Sequence, residues 1–125
     1  MRDKLLEINK LFHEMGFSAS GINYGHCYHW AYIAHLVTGG DLCSSWGHAF
    51  IRINGKYYDS EYLHGVISWK KLRAVKNDSR FSVDGTNRFQ KHWKSVGANR
   101  WNKRLILEIT NKLRLKKMGK LHEAV

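Results

Sequence analysis

Residues 48–61, HAFIRINGKYYDSE, decide the fold that the sequence predicts. Two runs of alternating apolar and polar residues flank Asn54-Gly55, the strongest short-range signal for a β-hairpin with a two-residue turn. Such a turn fixes the pairing of the strands, and with it the face to which each side chain points. The apolar face, which we expect to join the core, carries Ala49, Ile51, Ile53 and Tyr58.

The opposite face of this hairpin collects most of its polar side chains. In the predicted pairing it holds His48, Phe50, Arg52, Tyr57, Asp59 and Glu61. Glu61 then lies opposite His48, and Asp59 lies on the diagonal, where cross-strand side chains still reach each other. The hairpin therefore predicts a histidine beside two carboxylates.

A helix is predicted just before the hairpin, in GHCYHWAYIAHLVTGG (residues 25–40). It begins near Cys27 and runs to about Val37, where Thr38-Gly39-Gly40 ends it. Its apolar stripe consists of Trp30, Ile33, Ala34 and Val37. Cys27 would lie at the helix N-terminus, where unpaired N–H groups and the positive end of the dipole stabilise a thiolate.

These residue types match the needs of a nucleophilic thiol. A histidine beside Cys27 can take the proton of the thiol, and a carboxylate can fix the tautomer and orientation of that histidine. We predict that His48 and Asp59 fill these roles, with Glu61 as the alternative carboxylate. His26 and Trp46 are candidates for contacting the substrate or an oxyanion, since either side chain can donate a hydrogen bond.

The segment GHCYHWA resembles the Gly-Gln-Cys-Trp-x-x-Ala motif of the transglutaminase-like branch of the papain superfamily. HAFIRINGKYYDSE resembles the His-Ala-aromatic strand of that family and the following strand, which ends in Asp. The resemblance covers residues 22–65. The same region is similar, more faintly, to Cys-His amidases and endopeptidases that cut peptidoglycan and to small phage-borne proteins of this type. The resemblance to the transglutaminase-like branch implies a papain-like α+β core, in which the cysteine helix packs on a small antiparallel sheet with extra helices. It also implies that Cys27 is the nucleophile, His48 the base and Asp59 the orienting acid.

The sequence departs from this family in two ways. His26 stands where the family has Gln, and only 21 positions separate Cys27 from His48. That spacing leaves little room for the substrate-groove insertions of larger members. Cys43, within the predicted loop of residues 39–47, is expected to be a small, partly buried apolar residue.

The remaining elements are predicted from periodicity and capping residues. We expect a helix over residues 3–15, loops over 17–26 and 77–85, and short helices over 69–75 and 87–97. Residues 99–117 fit a helix through Trp101, Leu105, Ile109 and Leu113 and a strand through Leu105, Leu107 and Ile109, so both remain open.

Length and charge limit the classes of function. The chain of 125 residues is expected to form one domain, residues 1–125. It contains no apolar run long enough to span a bilayer and no signal peptide, so we expect a cytoplasmic protein, in a host cytoplasm if it is phage-encoded. The net charge of +11 is uneven: residues 1–66 carry −1 and residues 67–125 carry +12. The basic half could engage an acidic protein partner or nucleic acid.

Two classes of function remain for these residues. The first is a thiol-dependent acyl-transfer enzyme (a peptidase, amidase or deamidase) acting on a protein or peptide, without a cofactor. The second is a non-catalytic papain-like binding module, such as a phage or mobile-element inhibitor that uses the basic half. We expect no metal site, because the spacing of His26, Cys27, His29, Cys43 and His48 matches no standard zinc site.

Overall fold

The computed structural model describes residues 2–45, 48–75, 81–84 and 106–113. Within them the protein is a mixed α+β structure whose helices pack on a small antiparallel sheet. The helix that carries Cys27 contacts the strand that begins at His48. The predicted α+β class, with the cysteine-bearing helix on a small antiparallel sheet, is thereby confirmed.

The sheet has four strands in the described residues, and all neighbouring strands are antiparallel. Their order is β3-β2-β1-β4. The strands are β1 (Asp41–Ser45), β2 (His48–Ile53), β3 (Lys56–Tyr58) and β4 (Ser82–Asp84).

The predicted hairpin is confirmed in turn and register. Ile53 pairs with Lys56, and Ile51 pairs with Tyr58. Both turn residues have a positive φ, 50° at Asn54 and 78° at Gly55, as a type I′ turn requires. The ladder ends at Tyr58, so the predicted pairing of the residues beyond it with the start of β2 does not form.

Two strands lie where the sequence predicted loops. β1 pairs with β2 along its whole length, and β4 pairs with the other edge of β1. Both strands are short, and their local sequence has few strand formers. Their conformation follows from pairing with distant segments, because such tertiary context outweighs local β-propensity.

The predicted loop over residues 17–26 is also wrong, because most of it is helical. After α1 (Arg2–Glu14) come a short turn α2 (Ala19–Gly21), a π-helical turn (Ile22–His26) and α3 (Cys27–Thr38). Ser18 caps the start of α2, since its hydroxyl accepts a hydrogen bond from the backbone N–H of Gly21 at 3.1 Å.

Residues 106–113 form a further helix, α4, which settles the open choice for this part of 99–117. Ile106 and Ile109 are buried one turn apart, and the hydroxyl of Thr110 donates to the carbonyl of Ile106 at 2.7 Å. Of the predicted helix over residues 69–75, only a single 3₁₀ turn forms (Trp69–Lys71). The predicted helix over 87–97 lies outside the described residues.

The main core lies between the helices and one face of the sheet. It includes the predicted apolar face of the hairpin together with the inner faces of α1, α3 and α4. Its buried members include Leu5, Ile8, Leu11, Phe12, Cys27, Trp30, Ile33, Leu42, Ala49, Ile51, Tyr58 and Ile109.

The other face of the sheet is buried as well, which the sequence did not predict. Phe50 and Cys43 are fully buried there beside Leu72. The chain after β3 covers this face, and its partly buried side chains include Tyr62, Val66, Trp69 and Val75. The face that holds His48 is therefore an interior surface, and the sheet lies between two apolar layers.

Gly65 holds the turn that brings this covering segment back over the sheet. Its φ is +81°, and a Cβ atom there would lie 2.7 Å from the ring of Tyr58. We expect Gly65→Ala to reduce the free energy of unfolding by about 3 kcal/mol, since it combines left-handed strain with overpacking. Gly16→Ala is the matched control: Gly16 has a φ of +93° but no atom within 4 Å of its Cβ position, so only about 1 kcal/mol of strain is expected. Urea unfolding of both variants measures the difference, and equal losses would contradict the close contact with Tyr58.

Candidate active site

His48 and Asp59 are in direct contact. His48 is the first residue of β2, and Asp59 follows the last residue of β3. Nε2 of His48 donates to Oδ2 of Asp59 at 3.0 Å. Both side chains are buried, with 4% of the side chain exposed for His48 and 1% for Asp59. The structure thus brings these two predicted site residues together, although Asp59 has left the strand ladder.

The second oxygen of the Asp59 carboxylate is also satisfied. Oδ1 accepts a hydrogen bond from the backbone N–H of Glu61 at 2.9 Å. A buried carboxylate is costly unless it is paired and hydrogen-bonded, and here each oxygen has a donor. Both oxygens of Asp59 are therefore occupied, and the side chain is held in contact with His48.

Cys27 is the first residue of α3 and is 7% exposed. The predicted start of this helix at Cys27 is confirmed, but the π turn leads directly into it, so Cys27 does not follow a loop as expected. His26 interrupts the regular geometry with φ −132° and ψ 22°. Such π turns within helices are frequent at functional sites. The effect of the helix dipole at Cys27 is correspondingly reduced.

The electrostatics of His48 link it to both other residues. Burial lowers its pKa, but hydrogen bonds to Asp59 and Cys27, with the charges of both, outweigh burial and raise the pKa to about 9. Nε2 is occupied by Asp59, and Nδ1 has no hydrogen bond of ordinary geometry within the described residues. The Cys27 thiol is thus a looser partner of His48 than the Asp59 carboxylate is. The arrangement favours an imidazolium at neutral pH.

This raised pKa predicts a specific pH dependence of stability. Because the pKa of folded His48 is about 9 and its ordinary value is 6.5, the contribution is fully present below pH 6.5 and is lost as the pH rises through 9. We expect the wild type to lose roughly 3 kcal/mol of unfolding free energy across that window relative to His48→Gln. Urea unfolding at several pH values measures this difference, and parallel curves for the two proteins would contradict it.

Glu61, the alternative carboxylate, is turned away from His48. Its Oε1 accepts from Nδ2 of Asn23 at 2.7 Å, and its Oε2 pairs with Arg73 at 2.8 Å. The structure therefore selects Asp59 as the partner of His48. The backbone N–H of Glu61, by contrast, donates to Oδ1 of Asp59.

His26 packs among aromatic rings beside Cys27. Its ring lies 4.3 Å from that of Phe17 and 5.3 Å from that of His29, measured between centroids. Burial lowers the pKa of His26, which favours the neutral imidazole. Its Nδ1 is buried without a hydrogen bond in the described part of the chain. Trp46, the other candidate, lies outside the described residues.

A buried polar chain behind Asp59 was missed by sequence reasoning. It links Trp30 to Asn9 at 2.7 Å, Asn9 to the carbonyl of Ser60 at 2.8 Å, and the hydroxyl of Ser60 to Asn23 at 3.0 Å. The one available signal was Asn9, a polar residue within the apolar stripe of α1. Nothing in the local pattern marks Asn23.

Cys43 lies on the far face of the sheet from Cys27. It is fully buried in the second apolar cluster and pairs with Phe50 across β1 and β2. The predicted packing of Cys43 as a small apolar residue is thus confirmed, but its burial is complete and not partial. Neither cysteine forms a disulfide. Among the residues that the structure describes, no three His, Cys, Asp or Glu side chains are grouped so as to hold a metal ion.

The basic half of the chain falls largely outside the described residues, so the predicted acidic partner or nucleic acid has no structural counterpart to describe. None of the helices in the described ranges has the length and apolar character needed to cross a bilayer.

Comparison of the chain with protein-family models, curated proteins and solved structures finds no significant match.

Proposed function

We propose that the protein is a thiol-dependent acyl-transfer enzyme with a papain-like, transglutaminase-like core. Cys27 is the nucleophile, His48 transfers the proton and Asp59 orients His48. The observation that carries this proposal is the buried His48–Asp59 pair of 3.0 Å, whose histidine also interacts with Cys27. A perturbed histidine between a thiol and a carboxylate is the arrangement that nucleophilic thiol catalysis needs.

The reaction follows from the two nitrogens of His48. The sulfur of Cys27, deprotonated by His48, bonds to the carbonyl carbon of an amide. The C–N bond then breaks, and the imidazolium gives its proton to the leaving amine. Water or a second amine next attacks the thioester, His48 accepts the proton of that nucleophile, and the thiolate leaves. Asp59 holds Nε2 throughout, which keeps Nδ1 for proton transfer.

His26 is a candidate donor to the oxyanion that forms during this attack. It immediately precedes Cys27, and its Nδ1 makes no hydrogen bond within the described residues. A neutral imidazole retains one N–H, and its lowered pKa favours that form. The substrate class that this chemistry suits is an amide of a protein or peptide, resolved by hydrolysis, transfer or deamidation.

An activated ester tests the proposal without knowledge of the natural substrate. With p-nitrophenyl acetate we expect a burst of one p-nitrophenolate per chain and an acetyl group on the peptide that contains Cys27. Cys43→Ser is the matched control and keeps the burst, whereas Cys27→Ser abolishes it. Acetylation spread over lysines, or an unchanged burst in Cys27→Ser, would overturn the proposal.

A further inference from the structure

Three residues after β3 hold the carboxylate side of the site in place. Asp59 binds His48, Ser60 is anchored to the helices, and Glu61 donates its backbone N–H to Asp59 at 2.9 Å. This segment is not fixed by the strand ladder, which ends at Tyr58. The position of Asp59 therefore depends on side-chain contacts from other elements.

Two of these contacts come from one side chain in the turn that leads into Cys27. Asn23 lies in the π turn, four residues before Cys27, and is 6% exposed. Its Nδ2 donates to Oε1 of Glu61 at 2.7 Å, and its Oδ1 accepts from the hydroxyl of Ser60 at 3.0 Å. Both polar atoms of this one buried side chain are thus directed to the segment that carries Asp59. We call the Asn23–Glu61 contact the brace.

The brace joins the two halves of the site. Asn23 lies in the helical segment that leads into Cys27, and Glu61 donates its backbone N–H to the Asp59 carboxylate. A hydrogen bond from a neutral amide to a carboxylate is charge-assisted and shorter than most. The stabilising effect of this hydrogen bond is offset by the cost of removing water from the largely buried Glu61 carboxylate. The Asn23–Glu61 contact is therefore not explained by its contribution to stability alone.

We propose that Asn23 and Glu61 are positioning residues, whose brace fixes Asp59 and His48 relative to Cys27. The inference rests on the proposed function for its catalytic consequence, but the geometry it describes can be tested without turnover. Loss of the brace should loosen the Asp59–His48 contact and lower the pKa of His48 from about 9 toward its ordinary value of 6.5. Misplacement of a catalytic group by about 1 Å costs up to about 100-fold in rate.

The test compares Glu61→Ala with Glu61→Gln. The alanine variant removes the acceptor for Asn23. We expect the acylation of Cys27 to be about 10- to 100-fold slower and the pKa of His48, measured by NMR titration, to be lower. The glutamine variant keeps a carbonyl oxygen for Asn23, so it should retain the rate within about threefold and keep the raised pKa. Asn23→Ala should reproduce the effects of Glu61→Ala. Circular dichroism and urea unfolding show that each variant is folded.

Arg73→Ala is the matched control for charge. It removes the partner of the other Glu61 oxygen, at a side chain that is 58% exposed, and leaves the brace intact. We expect little change in rate or in the pKa of His48. If Arg73→Ala or Glu61→Gln behaves like Glu61→Ala, charge and not the brace controls the site, and the inference is wrong. It is also wrong if folded Glu61→Ala keeps the raised pKa.

The two proposals fail in different ways. If the wild type shows no acylation that depends on His48, the proposed function fails, while the NMR titration still decides whether the brace positions His48. If the wild type shows such acylation and the alanine variants match it in rate and titration, only the brace fails.

Discussion

His48→Gln is expected to slow the acylation of Cys27 by about 10²- to 10⁴-fold, the usual contribution of a positioned general base. Glutamine can still donate a hydrogen bond to Asp59 through its amide, which limits the structural loss. It cannot take the proton of the thiol or return one to the leaving group. The rate of p-nitrophenolate release, at equal protein concentration, measures the effect.

His13→Ala is the control for the loss of a histidine as such. His13 is exposed in the last turn of α1, so its removal should leave the acylation rate unchanged. An equal rate in wild type and His48→Gln would contradict the assignment of His48 as the base, provided that the variant is folded.

Asp59→Ala is expected to reduce the free energy of unfolding by about 3–5 kcal/mol at pH 7, because it leaves the buried His48 without the carboxylate it is paired with. It also removes the acceptor for the backbone N–H of Glu61. Asp59→Asn keeps the shape of the side chain, so we expect a smaller loss of unfolding free energy in this variant. Urea unfolding at pH 7 measures both variants.

Asp41→Ala supplies the matched control for this loss. Asp41 accepts from Arg52 at 3.1 Å, much as Asp59 accepts from His48, but its side chain is 53% exposed. An exposed pair contributes less than about 1 kcal/mol, so its removal should cost little. Similar losses at Asp41 and Asp59 would show that the buried pair has no special role in the fold.

The hairpin could be predicted from the sequence because its determinants are local. Asn54-Gly55 forms the two-residue turn, and this turn fixes the register in which Ile51 pairs with Tyr58. The contact between His48 and Asp59 was predicted by extending that register to Asp59; the contact forms, although the ladder itself ends at Tyr58. The helix that carries Cys27 was predicted from other local signals, its apolar stripe and the glycines at 39 and 40, and it spans Cys27–Thr38.

The remaining features depend on contacts between distant segments. β4 lies about 40 residues from its partner β1, and neither short strand has a pattern that marks it locally. The π turn before Cys27 and the burial of the second face of the sheet are set by packing. Asn23 became a candidate only when the structure showed Ser60 and Glu61 around it.

Relative alkylation of the two cysteines tests the central claim, that His48 makes Cys27 reactive. Cys43 is fully buried on the other face of the sheet, so its reaction with iodoacetamide reports opening of the fold. In the wild type we predict that Cys27 reacts more than about tenfold faster than Cys43, as expected for a thiol activated by a neighbouring histidine. In His48→Gln the two rates should converge. Equal rates in the wild type, or a Cys27 rate that does not depend on His48, would contradict the account.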